Sequence, residues 1–246
     1  MPVTKPAKKI KKLAKKKKKS WFKKILRVLL IALLFCFLFS ILYTLFCKWV
    51  NPPITITQVK SFITGHGLKR DYISMDKISP EMKLAVIASE DQLFPDHNGF
   101  DFKSIQKAMK HNQKSKSMRG ASTISQQVAK NVFLWQHGGF FRKGLEVYFT
   151  FLIEAMWSKK RILEVYLNVA ETGDGVFGVE AAAKKYFNKR SRNLTRMESA
   201  MIAATLPNPR THTIKPISKF VAAKYPWILE QMKHLEGDED IKELIK

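Results

Sequence analysis

The chain has 246 residues, 46% of them hydrophobic, which is ample for one globular core and excludes disorder throughout. Its formal net charge of +24 would suggest nucleic-acid binding if the charge were spread over the chain. Half of the excess lies in one tail instead, because residues 1–24 hold twelve lysines and no acid. The two cysteines, Cys36 and Cys47, are too far apart on a helix for a disulfide, since eleven residues rise roughly 16 Å.

The N-terminal part of the sequence predicts a membrane anchor. The lysine-rich residues 5–24 are expected to be disordered in isolation, because they cannot bury enough apolar surface. From Ile25 to Phe46 the only charge is Arg27, and this length suffices to cross a bilayer. Trp21 and Trp49 bracket the run as interfacial anchors, and the lysines place the N-terminus in the cytoplasm. A cleaved signal peptide is the alternative, but the run is too long for one and no A-x-A site follows.

The segment after the predicted anchor is a connector. Asn51, Pro52 and Pro53 end the membrane helix, and the mixed sequence that follows predicts one short strand or helix. The connector shows no recognisable chemistry.

The stretch Leu84–Asp101 contains the first candidate catalytic group. Glu90 and Asp91 end an apolar run, and Pro95 and Gly99 then prevent the helix from continuing. A carboxylate at the negative end of a helix, against apolar neighbours, has a raised pKa, which suits a general base. Two solvated acids at a helix end are the alternative.

The second informative stretch is RGASTISQQVAKN, Arg119–Asn131, which follows a predicted basic helix over 102–112 and a mobile loop over 113–120. Thr123 and Gln126 have the capping-box spacing, so a helix is predicted to start there. Its apolar stripe is Ile124, Val128 and Val132, and its polar side is Thr123, Gln126, Gln127 and Lys130. A helix N-terminus with a lysine suits an anion such as phosphate, although an ordinary amphipathic surface helix is the alternative.

An aromatic loop and a third motif follow. The loop NVFLWQHGGFF places Phe133, Leu134, Trp135, Phe140 and Phe141 around two glycines, and with a membrane anchor nearby we expect it to enter the bilayer interface. In the helix predicted over 142–157, Glu146 lies one turn after Arg142 and Lys143. The alternative for this pattern is a plain i, i+4 salt bridge between Arg142 and Glu146.

The remaining sequence predicts helices over 158–168, 179–187 and 199–206 and no run of alternating strands, so the fold is expected to be mainly α. There is no H-x-x-x-H pair, GxSxG elbow, P-loop or suitably placed cysteine. A divalent ion could be held by a few polar residues of the first stretch, but their spacing matches no known loop: Asp91, Asp96, His97 and Asp101.

Five ordered motifs resemble those of the peptidoglycan glycosyltransferases of family 51: EDQLFPDHNGFD, RGASTISQQVAKN, RKGLE, KKRILEVYLN and GVFGVEAAAKKYF. The resemblance covers about Asp76 to Arg210, and because no transpeptidase domain follows, it is to the monofunctional biosynthetic branch. It implies a lysozyme-like, mainly helical glycosyltransferase domain behind a single N-terminal transmembrane helix. The expected division begins with a basic cytoplasmic tail (1–24), a transmembrane helix (25–47) and a periplasmic connector (48–75). The catalytic domain (76–235) and a polar C-terminal tail (236–246) follow.

The resemblance also implies the chemistry. The family polymerises lipid II and releases undecaprenyl diphosphate, with Glu90 as the general base for the acceptor 4-hydroxyl and Glu146 as a second carboxylate near the donor. The implied substrate-binding residues are Phe94, Ser122, Thr123, Gln126, Gln127, Lys130, Asn131, Arg142 and Lys143. No cofactor is expected to be required, and a divalent cation (Mg or Mn) that assists the diphosphate is left open.

The expected partners are lipid II, the growing glycan strand and inner-membrane lipids, with other cell-wall synthesis or division proteins as further candidates and no nucleic acid. The expected location is the bacterial inner membrane, with the catalytic domain in the periplasm. Two alternatives remain at this point. A lysozyme-like lytic hydrolase would share the fold and an essential Glu, whereas a membrane adaptor would leave residues 84–146 unexplained.

Overall fold

The computed structural model describes residues 7–115, 120–136 and 138–246, with side chains from Trp21 onward. The chain divides into two compact units, Met1–Phe46 and Cys47–Lys246.

The N-terminal unit is formed by helix α1, Ala7–Cys47. Within it, Trp21–Cys47 has 27 residues and contains an 18-residue window with a mean hydropathy of 2.9, so it is long and apolar enough to cross a membrane, as predicted. Residues 7–24 are helical too, although they were expected to be disordered in isolation. Lysine is a good helix former, and the helix of the apolar run can extend into these residues without a new nucleation step. Cys36 and Cys47 are both free thiols, as their spacing predicted.

The connector contains both a helix and a strand. Helix α2, Ile56–Ile63, starts at a capping box formed by Thr55 and Gln58. Strand β1, Lys69–Arg70, follows it. Both belong to the second compact unit, so this segment is part of the folded domain rather than a spacer.

Helix α3, Pro80–Glu90, lies in the core of the second unit. Ser79 caps it, Pro80 occupies its first turn, and every residue from Met82 to Ala88 is buried. A helix that is buried all round must be covered on several sides. Two later helices, α9 (Arg196–Thr205) and α10 (Lys219–Leu235), pack against it, and both begin at caps, Thr195 and Ser218.

A second group of helices follows α3 in the chain, and one of them, α5, bonds to the end of α3. It consists of α4 (Phe102–Lys114), α5 (Ile124–Phe133), α6 (Phe140–Met156) and α7 (Lys159–Val169), and α5 packs on both α6 and α7. Helix α8, Val179–Phe187, has the predicted bounds. The mainly α prediction is confirmed. Of the loop predicted over 113–120, residues 113 and 114 belong to α4 instead, and residues 116–119 lie outside the described residues.

A small sheet was not predicted. Strands β2 (Glu171–Gly173) and β3 (Val176–Phe177) pair antiparallel, and β1 adds to β3 in parallel. Strands of two or three residues are too short to show the alternation by which strands are recognised.

The C-terminal segment, expected to be a polar tail, contains helix α11, Glu239–Ile245. Asp238 caps it, and Ile241 and Leu244 are buried. The fully buried Lys83 of α3 donates a hydrogen bond from Nζ to the carbonyl of Ile245, at 2.9 Å. Two of the segment's three apolar residues thus face the core, and the third, Ile245, is partly buried.

Candidate active site

Glu90 is the last residue of α3 and lies at the end of the buried helix, where its carboxylate is half-buried. Ser89 Oγ donates to Glu90 Oε1 at 3.1 Å, and Gln127 Nε2 donates to Oε2 at 2.8 Å. Burial raises the pKa of Glu90, while the two hydrogen bonds and the charge of Lys224 oppose the shift. The sequence predicted this direction, which moves the carboxyl towards the pKa range of a general base.

Gln127 is held in one orientation by Tyr166 of α7. Tyr166 Oη donates to Gln127 Oε1 at 3.1 Å, so the amide nitrogen is the atom that faces Glu90. Tyr166 is almost fully buried, and burial raises its pKa well above the ordinary value, so it stays a neutral donor. Sequence reasoning assigned no role to Tyr166, since a tyrosine on an amphipathic helix gives no signal of its hydrogen-bond partner.

Asp91, although adjacent to Glu90, serves the fold. Its buried carboxylate lies 2.9 Å from His97 Nε2 and accepts the backbone N–H of Ile124 at 2.9 Å, which joins the loop after α3 to the start of α5. Thr123 Oγ1 strengthens the same junction by donating to the carbonyl of Gly99 at 2.7 Å. Of the acid pair, Asp91 is therefore used by the fold, and Glu90 remains the candidate for chemistry.

Gly99 is required at this junction for two reasons. Its φ is +86°, a conformation that side chains disfavour, and a Cβ there would lie 2.7 Å from Thr150 Cγ2. The glycine thus lets the loop approach α6 closely.

Two of the three acidic residues considered for a divalent ion, Asp91 and Asp101, are used elsewhere. Asp91 is bound as described, and Asp101 accepts from the backbone N–H of Ser104 as the cap of α4. Within the described ranges, no group of three or more His, Cys, Asp or Glu side chains is placed to hold a metal ion.

Helix α5 presents part of the predicted binding face. The capping box of Thr123 and Gln126 is confirmed, and both side chains are buried in it. Its apolar stripe, Ile124, Val128 and Val132, is buried as predicted. Ser122 is exposed, Gln127 and Lys130 are partly exposed, and Asn131 Oδ1 accepts a hydrogen bond from Gln136.

Lys130 interacts electrostatically with both predicted carboxylates, Glu146 and Glu90. Its pKa is lowered, chiefly by burial and further by Arg142 and Lys143, while Glu146 and Glu90 act in the opposite direction. Its ammonium makes no ion pair or hydrogen bond with the residues that the structure describes. A half-desolvated ammonium without a protein partner is a ready site for an anion.

Glu146 is buried and neutralised. Arg142 Nη1 binds its Oε2 at 2.7 Å, and Lys143 Nζ binds its Oε1. The i, i+4 salt bridge weighed as an alternative is therefore present, and it is largely removed from water. Arg142 Nε is buried as well and has no hydrogen-bond partner among the described residues, which leaves a charged donor for a further acceptor.

Phe94 is fully buried. The ammonium of Lys159 lies 4.7 Å from the centre of its ring, and His97 packs edge-on against it at 6.4 Å. In this conformation the ring supports the loop that carries Asp91, and its contact with substrate stays a prediction.

The aromatic loop between α5 and α6 is only partly exposed. Phe140 is 98% exposed, and Phe141 and Trp135 are exposed too. Leu134 is instead buried, and Phe133 stacks on Phe149 with 4.5 Å between ring centres, so these two belong to the protein interior. His137 lies outside the described residues.

Together these features define a mainly helical catalytic domain, with one hydrogen-bonded carboxylate beside a group of cations, in a chain whose N-terminal helix can anchor it in a membrane. The chain belongs to the transglycosylase family, whose model matches residues 56–233. It is 59% identical over 185 residues to a relative from Escherichia coli (strain ATCC 8739) and 58% identical to one from Shigella boydii serotype 4 (strain Sb227). Each match covers 74% of this chain and 76% of the relative, and both relatives are called biosynthetic peptidoglycan transglycosylase. The family resemblance found in the sequence is thereby confirmed.

Proposed function

We propose that the protein is a peptidoglycan glycosyltransferase that polymerises lipid II into linear glycan strands, with inversion at the anomeric carbon and release of undecaprenyl diphosphate. The names of the relatives support a biosynthetic peptidoglycan transglycosylase. The lipid-linked donor and its leaving group follow from the family resemblance and from the charges of the site.

Glu90 is the general base in this scheme. Its carboxylate takes the proton of the acceptor's 4-hydroxyl while that oxygen attacks the anomeric carbon of the donor, and the bond to the diphosphate breaks. Ser89 and Gln127 keep the carboxylate in place, since both donate hydrogen bonds to it. The raised pKa strengthens it as a base near neutral pH compared with an exposed carboxylate.

The observation that carries the proposal is the pair of unused cationic donors. The ammonium of Lys130 and the Nε of Arg142 have no protein acceptor among the described residues, although both are at least partly buried. A diphosphate would satisfy both and would be stabilised most as negative charge builds on the leaving oxygen. Glu146 fixes Arg142 and Lys143 in position rather than acting as an acid, because both of its oxygens are paired with cations.

These charges favour synthesis over the alternative of hydrolysis. A glycoside hydrolase must protonate a poor leaving group, and it uses a carboxylic acid for that purpose. A diphosphate leaves as a stable anion, so a cationic cradle replaces the acid. A hydrolase of finished glycan meets no diphosphate and would have no use for two cationic donors that lack a protein acceptor.

The testing experiment is a polymerisation assay on the purified full-length protein. With lipid II in detergent, we expect long glycan strands on a gel, and with finished peptidoglycan we expect no soluble fragments. Glu90→Gln is the matched control for background activity. Release of fragments from finished polymer, without strand formation from lipid II, would establish the hydrolase instead.

The setting of the enzyme is part of the proposal. By the positive-inside rule, the basic N-terminal segment supports a cytoplasmic N-terminus and a catalytic domain in the periplasm, at a bacterial inner membrane. Membrane lipids, the growing strand and other cell-wall synthesis or division proteins are the proposed partners. The scheme requires no cofactor, and a comparison of activity with added Mg²⁺, Mn²⁺ or a chelator tests whether a divalent cation assists the diphosphate.

A further inference from the structure

Helix α2 has its polarity reversed relative to an ordinary surface helix. Its buried residues are polar, Thr57, Gln58 and Ser61, and they share one side of the helix. Its apolar residues face outward: Ile56, Val59, Phe62 and Ile63 are 48%, 37%, 68% and 74% exposed. In water this arrangement is unfavourable, since four large apolar side chains would remain solvated on eight residues.

The inward polar side is specifically bonded, so the helix is not simply misplaced. Gln58 Nε2 donates to Tyr72 Oη at 3.1 Å, and Ser61 Oγ donates to the carbonyl of Gly67 at 2.8 Å. Thr57 Oγ1 accepts from Gln136 Nε2 at 2.9 Å. These bonds hold α2 on the domain with its apolar side outward, because rotating the helix would break all of them.

Two further observations indicate what covers the apolar side. Residues 48–55 are the whole connection from the membrane-spanning helix, and eight residues reach at most about 28 Å, so α2 begins within reach of the membrane surface. In addition, Gln136 belongs to the aromatic loop whose Phe140 and Phe141 are exposed, so its bond to Thr57 joins α2 directly to that loop. The loop therefore contacts α2 on the polar side of the helix and leaves the apolar side of α2 exposed.

We propose that α2 is an interfacial helix, whose side formed by Ile56, Val59, Phe62 and Ile63 is embedded at the boundary between the headgroups and acyl chains of the bilayer. A helix in this position presents large apolar groups to the lipid and polar groups away from it. It would fix the catalytic domain at a set height and orientation on the membrane that holds a lipid-linked substrate. This inference depends on the membrane anchor and not on the proposed reaction.

The test places a fluorescent label on α2 in the full-length chain. In a Cys36→Ala, Cys47→Ala background, Phe62→Cys is labelled with an environment-sensitive nitrobenzoxadiazole dye, and the protein is reconstituted into vesicles of phosphatidylethanolamine and phosphatidylglycerol. Ile63→Cys provides a second site on the same side of the helix, and Glu239→Cys, on the exposed side of α11, is the matched control. Melting temperatures in detergent, compared with the unlabelled background, identify any variant that does not fold.

We expect lipids that carry a nitroxide near the headgroup end of the acyl chain to quench the dye at positions 62 and 63 several-fold more than at position 239. Equal quenching at all three positions in folded variants would overturn the proposal. A second protein chain covering this side would give a different result: weak lipid quenching at positions 62 and 63, and a dye emission that changes when the protein is diluted into excess lipid. That result would overturn the proposal as well.

Discussion

Replacement of Glu90 by glutamine should abolish activity without weakening the fold. The change removes the titratable group but keeps the size of the side chain and an oxygen that accepts the hydrogen bond now donated by Gln127 Nε2. No cavity is formed, and the Ser89 hydroxyl, which donates to the other carboxylate oxygen in the wild type, can rotate to accept from the new amide nitrogen.

The expected loss of activity follows from the role of a positioned general base. Such a base accelerates a reaction by about 100-fold to 10,000-fold, which corresponds to about 2.7 to 5.5 kcal/mol of transition-state stabilisation. Turnover of lipid II should therefore fall at least about 100-fold. The wild-type activity should fall as pH drops through the raised pKa of Glu90, so its acid limb should lie above the ordinary value of 4.5.

The same substitution should raise the free energy of unfolding, although it lowers activity. Because burial raises the pKa of Glu90 in the folded state, the stability that the protonated group contributes is present below its ordinary pKa and is lost as pH rises through the raised one. At neutral pH the wild type carries this cost and the glutamine variant does not, so the variant should be the more stable. Each unit by which folding raises the pKa corresponds to about 1.4 kcal/mol, so the gain in stability measures the shift.

The assays are glycan-strand synthesis and thermal unfolding of both proteins from pH 4 to pH 8. We expect the difference in stability to shrink towards acidic pH, where Glu90 is protonated in both the folded and the unfolded state. A folded variant with near-normal turnover would remove Glu90 from the mechanism. A variant less stable than the wild type at neutral pH would show that the carboxylate is stabilised in the fold, contrary to the direction of its pKa.

Lys130→Met should lower turnover about 100-fold or more, with a smaller change in donor binding, and normal turnover of the variant would make this lysine an ordinary surface residue. In the wild type, the alkaline limb of the pH profile should lie below the ordinary lysine pKa of 10.5, because the pKa of Lys130 is lowered. Tyr166→Phe should lower kcat more than it changes KM and should shift the acid limb of the pH profile upward, because the released amide of Gln127 can turn its oxygen towards Glu90. An unchanged pH profile would limit Tyr166 to a packing role. The double change Phe140→Ser, Phe141→Ser should leave the melting temperature in detergent nearly unchanged, since both rings are exposed, but should weaken lipid quenching of a dye attached to the loop. Deletion of residues 1–46 should leave a folded domain that is active in detergent; an unfolded fragment would show that the membrane helix is part of the core.

Much of the architecture could be predicted from local sequence. The transmembrane run is evident from its length and hydropathy, and the start of α5 from the spacing of Thr123 and Gln126, because both signals depend on residues that are close in the chain. The motif resemblance identified the family, as the match over residues 56–233 confirms. The buried apolar stripe of α5 also followed from its helical period.

The very short strands and the C-terminal helix could not be predicted in the same way. Two or three residues in each strand give no periodic pattern, and α11 shows its apolar side only once Ile241 and Leu244 are known to face the core. The same holds for the reversed polarity of α2, since a mixed sequence of apolar and polar residues does not state which side faces inward.

The sequence by itself determined the membrane anchor, the mainly helical class and the family, since composition, helical period and ordered motifs are properties of the linear chain. Only the tertiary structure decided how neighbouring residues divide their roles. Glu90 and Asp91 are equivalent in the sequence, but α5 supplies an amide side chain to the first and a backbone N–H to the second. The orientation of Gln127 depends in turn on Tyr166, 39 residues away. Burial and hydrogen bonds between distant segments together set the pKa and the position of a side chain, and no pattern within one segment contains them.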